Sequence, residues 1–193
     1  MAPMRSRLRG TSTIVKRRVH YIPKAHRRFI VRRATPHDLD VLVRQRRGMW
    51  ESMGVRDKPE LNEADRVYRQ WARKEFRNRS LLGWVAESNG IIIGGGCLWL
   101  QPVQPRPGWN KGIQPYLLSM YTEPSFRAMG VASRIVEEAA KWAKKNGYPQ
   151  LTLDASSRGR RVYSKFGFKR TWEMRLKFSR KSSRALRASP AMR

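Results

Sequence analysis

The chain is short of acids, of cysteine and of long apolar runs. Asp and Glu together number 14 among 193 residues, against 42 Lys and Arg, for a formal net charge of +28. A single cysteine, Cys97, excludes an internal disulfide and any zinc cluster built on several thiolates. It lies in an apolar run and reads as a small buried residue. The three histidines, His20, His26 and His37, are scattered, and no metal site is expected from them. No apolar run approaches the roughly 20 residues of a membrane helix, so no membrane partner is expected. The N-terminus is rich in Arg, Ser and Thr, as organelle transit peptides are, but lacks the apolar segment of a secretory signal. It is read as a basic arm of a cytoplasmic protein.

The acids that exist are confined to the middle. Residues 1–28 hold nine Lys/Arg and no acid, and residues 179–193 hold five and no acid. The sequence therefore divides into a basic arm (1–28), a domain (29–178) with 40%-hydrophobic chain composition behind it, and a basic tail (179–193). Such a balance attracts polyanions by releasing their counterions. RNA is the expected polyanion, with the ribosome as one setting. Arg5, Arg7, Arg9, Lys16, Arg17, Arg18, Arg27 and Arg28 are the phosphate contacts expected of the arm.

Order begins at Phe29-Ile30-Val31, a strand. Thr35-Pro36-His37-Asp38 then has the pattern of a helix start: cap, Pro at the first position, acid three after the cap. That helix should run to about Arg47 and stop at Gly48. Residues 59–78 carry apolar side chains at helical spacing and predict a second helix. Two β-rich runs flank Asn89-Gly90, the pair suited to a type I′ hairpin. Gly94-Gly95-Gly96 inside the second run signals a bulge or a close backbone approach. A Pro/Gly-rich loop (101–115), a strand (116–122), a third helix (131–146) and a strand near 150–156 follow. A short helix (158–166) and a final strand or strand pair in 168–178 complete the chain. The order β-α-α-β-β-β-α-β-α-β is that of an α+β domain with helices on a central sheet.

Arg127-Ala128-Met129-Gly130-Val131-Ala132 joins the strand to the third helix without a small polar cap. A helix start presents unpaired amides and the positive end of its dipole, and both favour an anion. Gly130 removes the side chain that would keep a ligand away, and Arg127 adds a cation suited to phosphate. In this context R-x-x-G-x-A resembles motif A of the GNAT superfamily of N-acetyltransferases. Val162-Tyr163-Ser164-Lys165-Phe166-Gly167-Phe168 resembles the closing motif of the same family. The resemblance covers roughly residues 29–178.

The resemblance implies a GNAT fold with a central mixed, mostly antiparallel sheet, acetyl-CoA as cofactor, and direct acetyl transfer to a primary amine. It places Arg127, Ala128, Met129, Gly130, Val131 and Ala132 at the pyrophosphate, with Ser133 adding a hydroxyl. Met120 and Tyr121 would meet the acetyl carbonyl and pantetheine arm, and Ser156 or Ser157 the pantetheine. Tyr163 stands where many members keep the tyrosine that protonates the leaving thiolate. Glu123 is taken as the candidate base, with Glu87 and Asp154 as alternatives. A second reading keeps the fold and makes the protein an RNA-binding or ribosomal component with weak or lost catalysis. The oligomeric state is left open.

Overall fold

The computed structural model describes residues 28–178. The arm residues named above, Arg28 excepted, and the basic tail lie outside the described residues; Arg28 is exposed. Strand β1 (Ile30–Arg33) leads through a single turn of 3-10 helix into α1 (Leu39–Ser52), and α2 (Lys58–Arg77) follows. Strands β2 (Leu81–Ser88), β3 (Ile91–Pro102) and β4 (Ile113–Thr122) form a meander. Helix α3 (Val131–Lys145), strand β5 (Thr152–Leu153) and α4 (Arg160–Ser164) close the domain. The five strands lie in chain order, antiparallel from β1 to β4, with β5 parallel to β4.

Local chemistry accounts for most of these elements. The Asp38 carboxylate accepts from the Thr35 amide at 2.8 Å and from Arg32 Nη1 at 2.9 Å, so the expected helix start is also tied to β1. Asp57 caps α2 by accepting from the Glu60 amide at 2.9 Å, ahead of Pro59 in the first turn. Asn89 and Gly90 both take positive φ, 50° and 73°, as the type I′ turn requires.

Two apolar layers sandwich the sheet. Leu42, Val43, Tyr68, Ala72, Val85 and Cys97 pack between it and the α1/α2 pair. Trp84, Leu98, Leu117, Ile135, Val136 and Tyr163 pack between it and α3/α4. The β3 glycines let both layers close on the strand. A Cβ on Gly94 would lie 2.7 Å from Val131 of α3, and one on Gly95 would lie 2.5 Å from Gln45 of α1.

Two expectations are corrected. Helix α1 does not stop at Gly48 but continues to Ser52. Gly48 serves a tertiary contact instead: a Cβ there would sit 2.9 Å from the Tyr121 ring of β4. The final strand is absent among the described residues. Although Trp172, Met174, Leu176 and Phe178 alternate with polar residues as a half-buried strand would, all four are exposed. The segment is held by Phe168, which packs on Tyr163, and by Arg175, which donates to Asp154 at 2.5 Å. Strand β5, two residues long, offers almost no ladder for it to join.

Candidate active site

The site is built where β4 outruns its neighbour. Strand β5 pairs only with Tyr116 and Leu117, while β4 continues to Thr122. From Leu118 onward the β5 side of β4 has no strand partner among the described residues, and this unpaired edge is the β4 wedge. On the other side of β4 the register with β3 slips at the same level. Cys97 faces Leu118 and Gly95 faces Tyr121, so Ser119 and Met120 together oppose Gly96. Ser119 takes φ +54°, which turns the backbone out of the regular pleat. A bulge of this kind bends the strand and frees backbone groups from the ladder.

The strand then delivers the chain to α3. Glu123 anchors the turn, donating its amide to Ile93 O at 2.9 Å, and a 3-10 turn over Pro124–Phe126 follows. Ala128 and Gly130 both adopt left-handed conformations, φ +64° and +84°. A Cβ at Gly130 would meet no atom within 4 Å, so the turn faces open space. Helix α3 starts with no side-chain cap and no acid in its first turn. Its first amides and the positive end of its dipole are thus left for an anion beside the exposed Arg127 and Gly130. The Arg127 side chain is exposed and folds back, its Nε donating to Thr122 O at 3.1 Å. Met129, Ala132 and Ser133 are half-buried around the same turn, and Val131 is fully buried beneath it.

The two faces of the bulge differ. Met120 sends its side chain to the α3 side, against Gly96 and Ile135. Tyr121 sends its ring to the α1 side, over Gly48, and its hydroxyl donates to Glu123 Oε2 at 3.4 Å. Burial and the nearby Glu123 push that hydroxyl above the ordinary tyrosine range. Arg44 approaches the other Glu123 oxygen at 3.5 Å. Glu123 is therefore half-buried and oriented beside the end of β4. The two other carboxylates are placed elsewhere. Glu87 is bound by Arg32 at 3.0 Å on the distant β1/β2 side. Asp154 stands at the end of β5 and is paired with Arg175 at 2.5 Å, beside Tyr116.

Tyr163 is buried between α3 and α4, edge-on to Phe168 at 5.8 Å, with Gly159 leaving room for its ring. Burial raises its hydroxyl above the usual tyrosine value. Ser156 accepts from the Gly159 amide at 3.1 Å and so shapes the turn before α4, while Ser157 stays exposed.

Sequence reasoning missed three contributors on the α1/α2 side. Tyr68 reaches from α2 to bond Ser119 of the bulge and Cys97 Sγ, the latter at 3.9 Å. Tyr116 has its hydroxyl pushed up to about 12, first by burial and then by Asp154. Gln45 is fully buried over Gly95, and among the described residues neither polar atom of its side chain has a hydrogen-bond partner. The one available signal was the glycine triplet, which marks what crowds against β3 without naming it.

A family model described as Acetyltransferase (GNAT) family matches residues 45–168, more than half of the chain. A probable N-acetyltransferase family 8 member 5 from Mus musculus is 32% identical over 93 residues. That match takes in 46% of this chain and 38% of the relative, so it spans less than half of the relative's length. Among solved structures, a predicted acetyltransferase from Clostridium acetobutylicum, crystallised with acetyl-CoA, aligns with a TM-score of 0.71 and 27% identity. It covers 80% of this chain and 98% of its own. A GCN5-related N-acetyltransferase from Ralstonia eutropha JMP134 aligns at 0.72 with 26% identity, over 78% and 98% of the two chains. With the β4 wedge, the bulge and the open turn before α3 in place, the chain belongs to the GNAT family of acetyltransferases.

Proposed function

We propose that the protein transfers an acetyl group from acetyl-CoA to a primary amine. The observation that carries this reading is the continuity of the β4 bulge at Ser119 with the open left-handed turn at Gly130. One element thereby presents backbone donors for a thioester carbonyl and an anion cradle for a pyrophosphate. The cofactor fits: a Gly130 Cβ would meet nothing within 4 Å, and beyond Leu117 β4 has no strand partner on its β5 side. Arg127, Ala128, Met129, Gly130, Val131, Ala132 and Ser133 hold the phosphates. Met120 and Tyr121 lie at the acetyl end, and Ser157 lies along the pantetheine.

Acetyl-CoA supplies an activated acyl group and a thiolate that can leave. The bulge amides polarise the carbonyl through fixed dipoles that need not reorganise during reaction. An amine held on the α1/α2 side forms the new N–C bond as the C–S bond breaks. Tyr163 gives its proton to the departing sulfur, which a buried, fully protonated phenol is suited to do. Glu123 takes the proton that the amine loses. Most of the rate comes from holding amine and thioester together, so no covalent enzyme intermediate is needed. Isothermal titration with acetyl-CoA tests the cofactor site, and thiol release in the presence of an amine panel tests turnover. Absence of binding at high micromolar acetyl-CoA would sink the reading.

A second role is favoured by the acid-free arm and tail. We infer that they hold the enzyme on RNA, the ribosome being one such partner, in the cytoplasm. Replacing the eight named cations, of the nine in the arm, by Gln in the full chain should flatten the salt dependence of RNA binding. An unchanged slope would remove the arm from the account.

A further inference from the structure

One stretch of the folded domain has cations without acids. Between Asp154 and Glu173 the chain carries Arg158, Arg160, Arg161, Lys165, Lys169 and Arg170 and no acidic residue. All six are exposed. None is ion-paired with a carboxylate among the described residues. Some arginines of the domain are paired, Arg32 with Asp38, Arg47 with Asp65, Arg66 with Glu63 and Arg134 with Glu137, whereas this stretch gathers six unpaired cations within thirteen residues. The backbone that carries them is anchored. Val162 and Tyr163 turn inward onto the core, Ser156 closes the turn before α4, and Phe168 locks the chain after Gly167. Like charges one helical turn apart, such as Arg161 and Lys165, repel one another. An anion lying along this ridge would relieve that repulsion. Two aromatic side chains are interleaved with the cations and face solvent: Phe166 is 38% exposed and Trp172 is 99% exposed.

We propose that this ridge, residues 158–172, is a docking surface for single-stranded nucleic acid. A row of cations tracks a phosphate backbone, and exposed rings stack on bases that a duplex would keep hidden. A duplex would use the cations and leave Trp172 idle, and vesicles distinguish a lipid surface, which would take Trp172 at its interface. The phosphate cradle of the acetyl-transfer site is a separate element, the turn before α3. The ridge depends neither on that activity nor on the terminal arms.

The test is fluorescence anisotropy of a labelled 20-nucleotide oligouridylate with the full chain between 50 and 200 mM KCl. A duplex RNA of the same length and phosphatidylserine vesicles serve as comparison ligands. Each phosphate contact on a single strand contributes about 0.7 to the log–log salt slope. Replacing all six cations by Gln should therefore lower the slope by about 4. Trp172→Ala should weaken the oligouridylate by about tenfold and leave the slope unchanged, since one stacked base is lost. Melting temperatures close to the parent show that both variants fold. An unchanged slope in the six-cation variant overturns the proposal, as does an unaffected Trp172→Ala. Equal affinity for the duplex, or preference for vesicles, overturns it too. Loss of acetyl-CoA binding in the six-cation variant with oligouridylate affinity intact would assign the ridge to the cofactor and end the proposal. If the parent binds oligouridylate through the ridge but never binds acetyl-CoA, only the acetyl-transfer reading fails.

Discussion

Gly94→Ala is the substitution whose consequence the structure determines most tightly. The new Cβ would lie 2.7 Å from Val131 Cγ1, 2.9 Å from the Tyr121 carbonyl oxygen and 3.4 Å from Thr122 Oγ1. Two of these neighbours cannot swing aside: Val131 is 1% exposed in the core, and the Tyr121 carbonyl is backbone of the adjoining strand. Opening the contacts to about 3.4 Å needs a movement of roughly half an ångström, between β3 and the β4/α3 junction. Overpacking of this kind costs about 1–3 kcal/mol. Replacing a glycine of ordinary φ returns about 0.4–1 kcal/mol by restricting the unfolded chain. The net loss is about 1–2 kcal/mol, or ~2–8 °C in Tm for a domain of this size. The displaced atoms carry the anion-binding turn, so acetyl-CoA affinity should fall with stability. Gly96→Ala is the comparison. Its Cβ meets the Met120 thioether, a flexible group that can repack, so its Tm should fall less. Differential scanning calorimetry and acetyl-CoA titration measure both effects. If Gly94→Ala melted within about 1 °C of the parent and bound acetyl-CoA equally well, the packing account of the glycine triplet would be wrong.

Other expectations are independent of that one. Tyr163→Phe should lower kcat by about 10²–10⁴-fold and leave acetyl-CoA affinity nearly unchanged, as measured by single-turnover kinetics and calorimetry. Since burial raises the Tyr163 hydroxyl, the alkaline fall in kcat should lie above the ordinary tyrosine value and vanish in the variant. The Asp38 carboxyl is held at about 2 rather than 3.8, chiefly by its hydrogen bond from Arg32. A depressed carboxyl stabilises the fold above pH ~4, and the contribution is lost as pH falls from about 4 to 2. With Arg32 partly open to solvent, that contribution is on the order of 1–2 kcal/mol. Urea melts of Asp38→Asn should show it as stability lost at pH 7 and not at pH 2. Burial pushes the Cys97 thiol up to about 12, so an aromatic disulfide reagent at pH 8 should label it only on unfolding. Rapid labelling of the native protein would contradict the packing of β3.

The sequence determined what rests on local chemistry. The start of α1 follows from Thr35, Pro36 and Asp38, the β2–β3 hairpin from Asn89-Gly90, and the turn into α3 from Arg127 and Gly130. In each case the backbone angles and their hydrogen-bond partners lie within a few residues, so the pattern is sufficient. Tertiary structure decided whatever depends on which elements meet. Gly48 reads locally as a helix stop, yet it sits inside α1 because Tyr121 needs its surface. Glu87 and Asp154 read as candidate bases beside Glu123, but Arg32 and Arg175 bind them and only Glu123 lies at the end of β4. The alternation at Trp172, Met174, Leu176 and Phe178 carries a strand's period but does not create a partner, and β5 is too short to supply one. The bulge at Ser119 lies opposite Gly96 of the triplet that signalled a bulge, but the triplet does not say that β4 carries the extra residue. The bulge arises because β3 and β4 differ by one residue between Gly95 and Cys97, a mismatch that exists only once the two strands are paired.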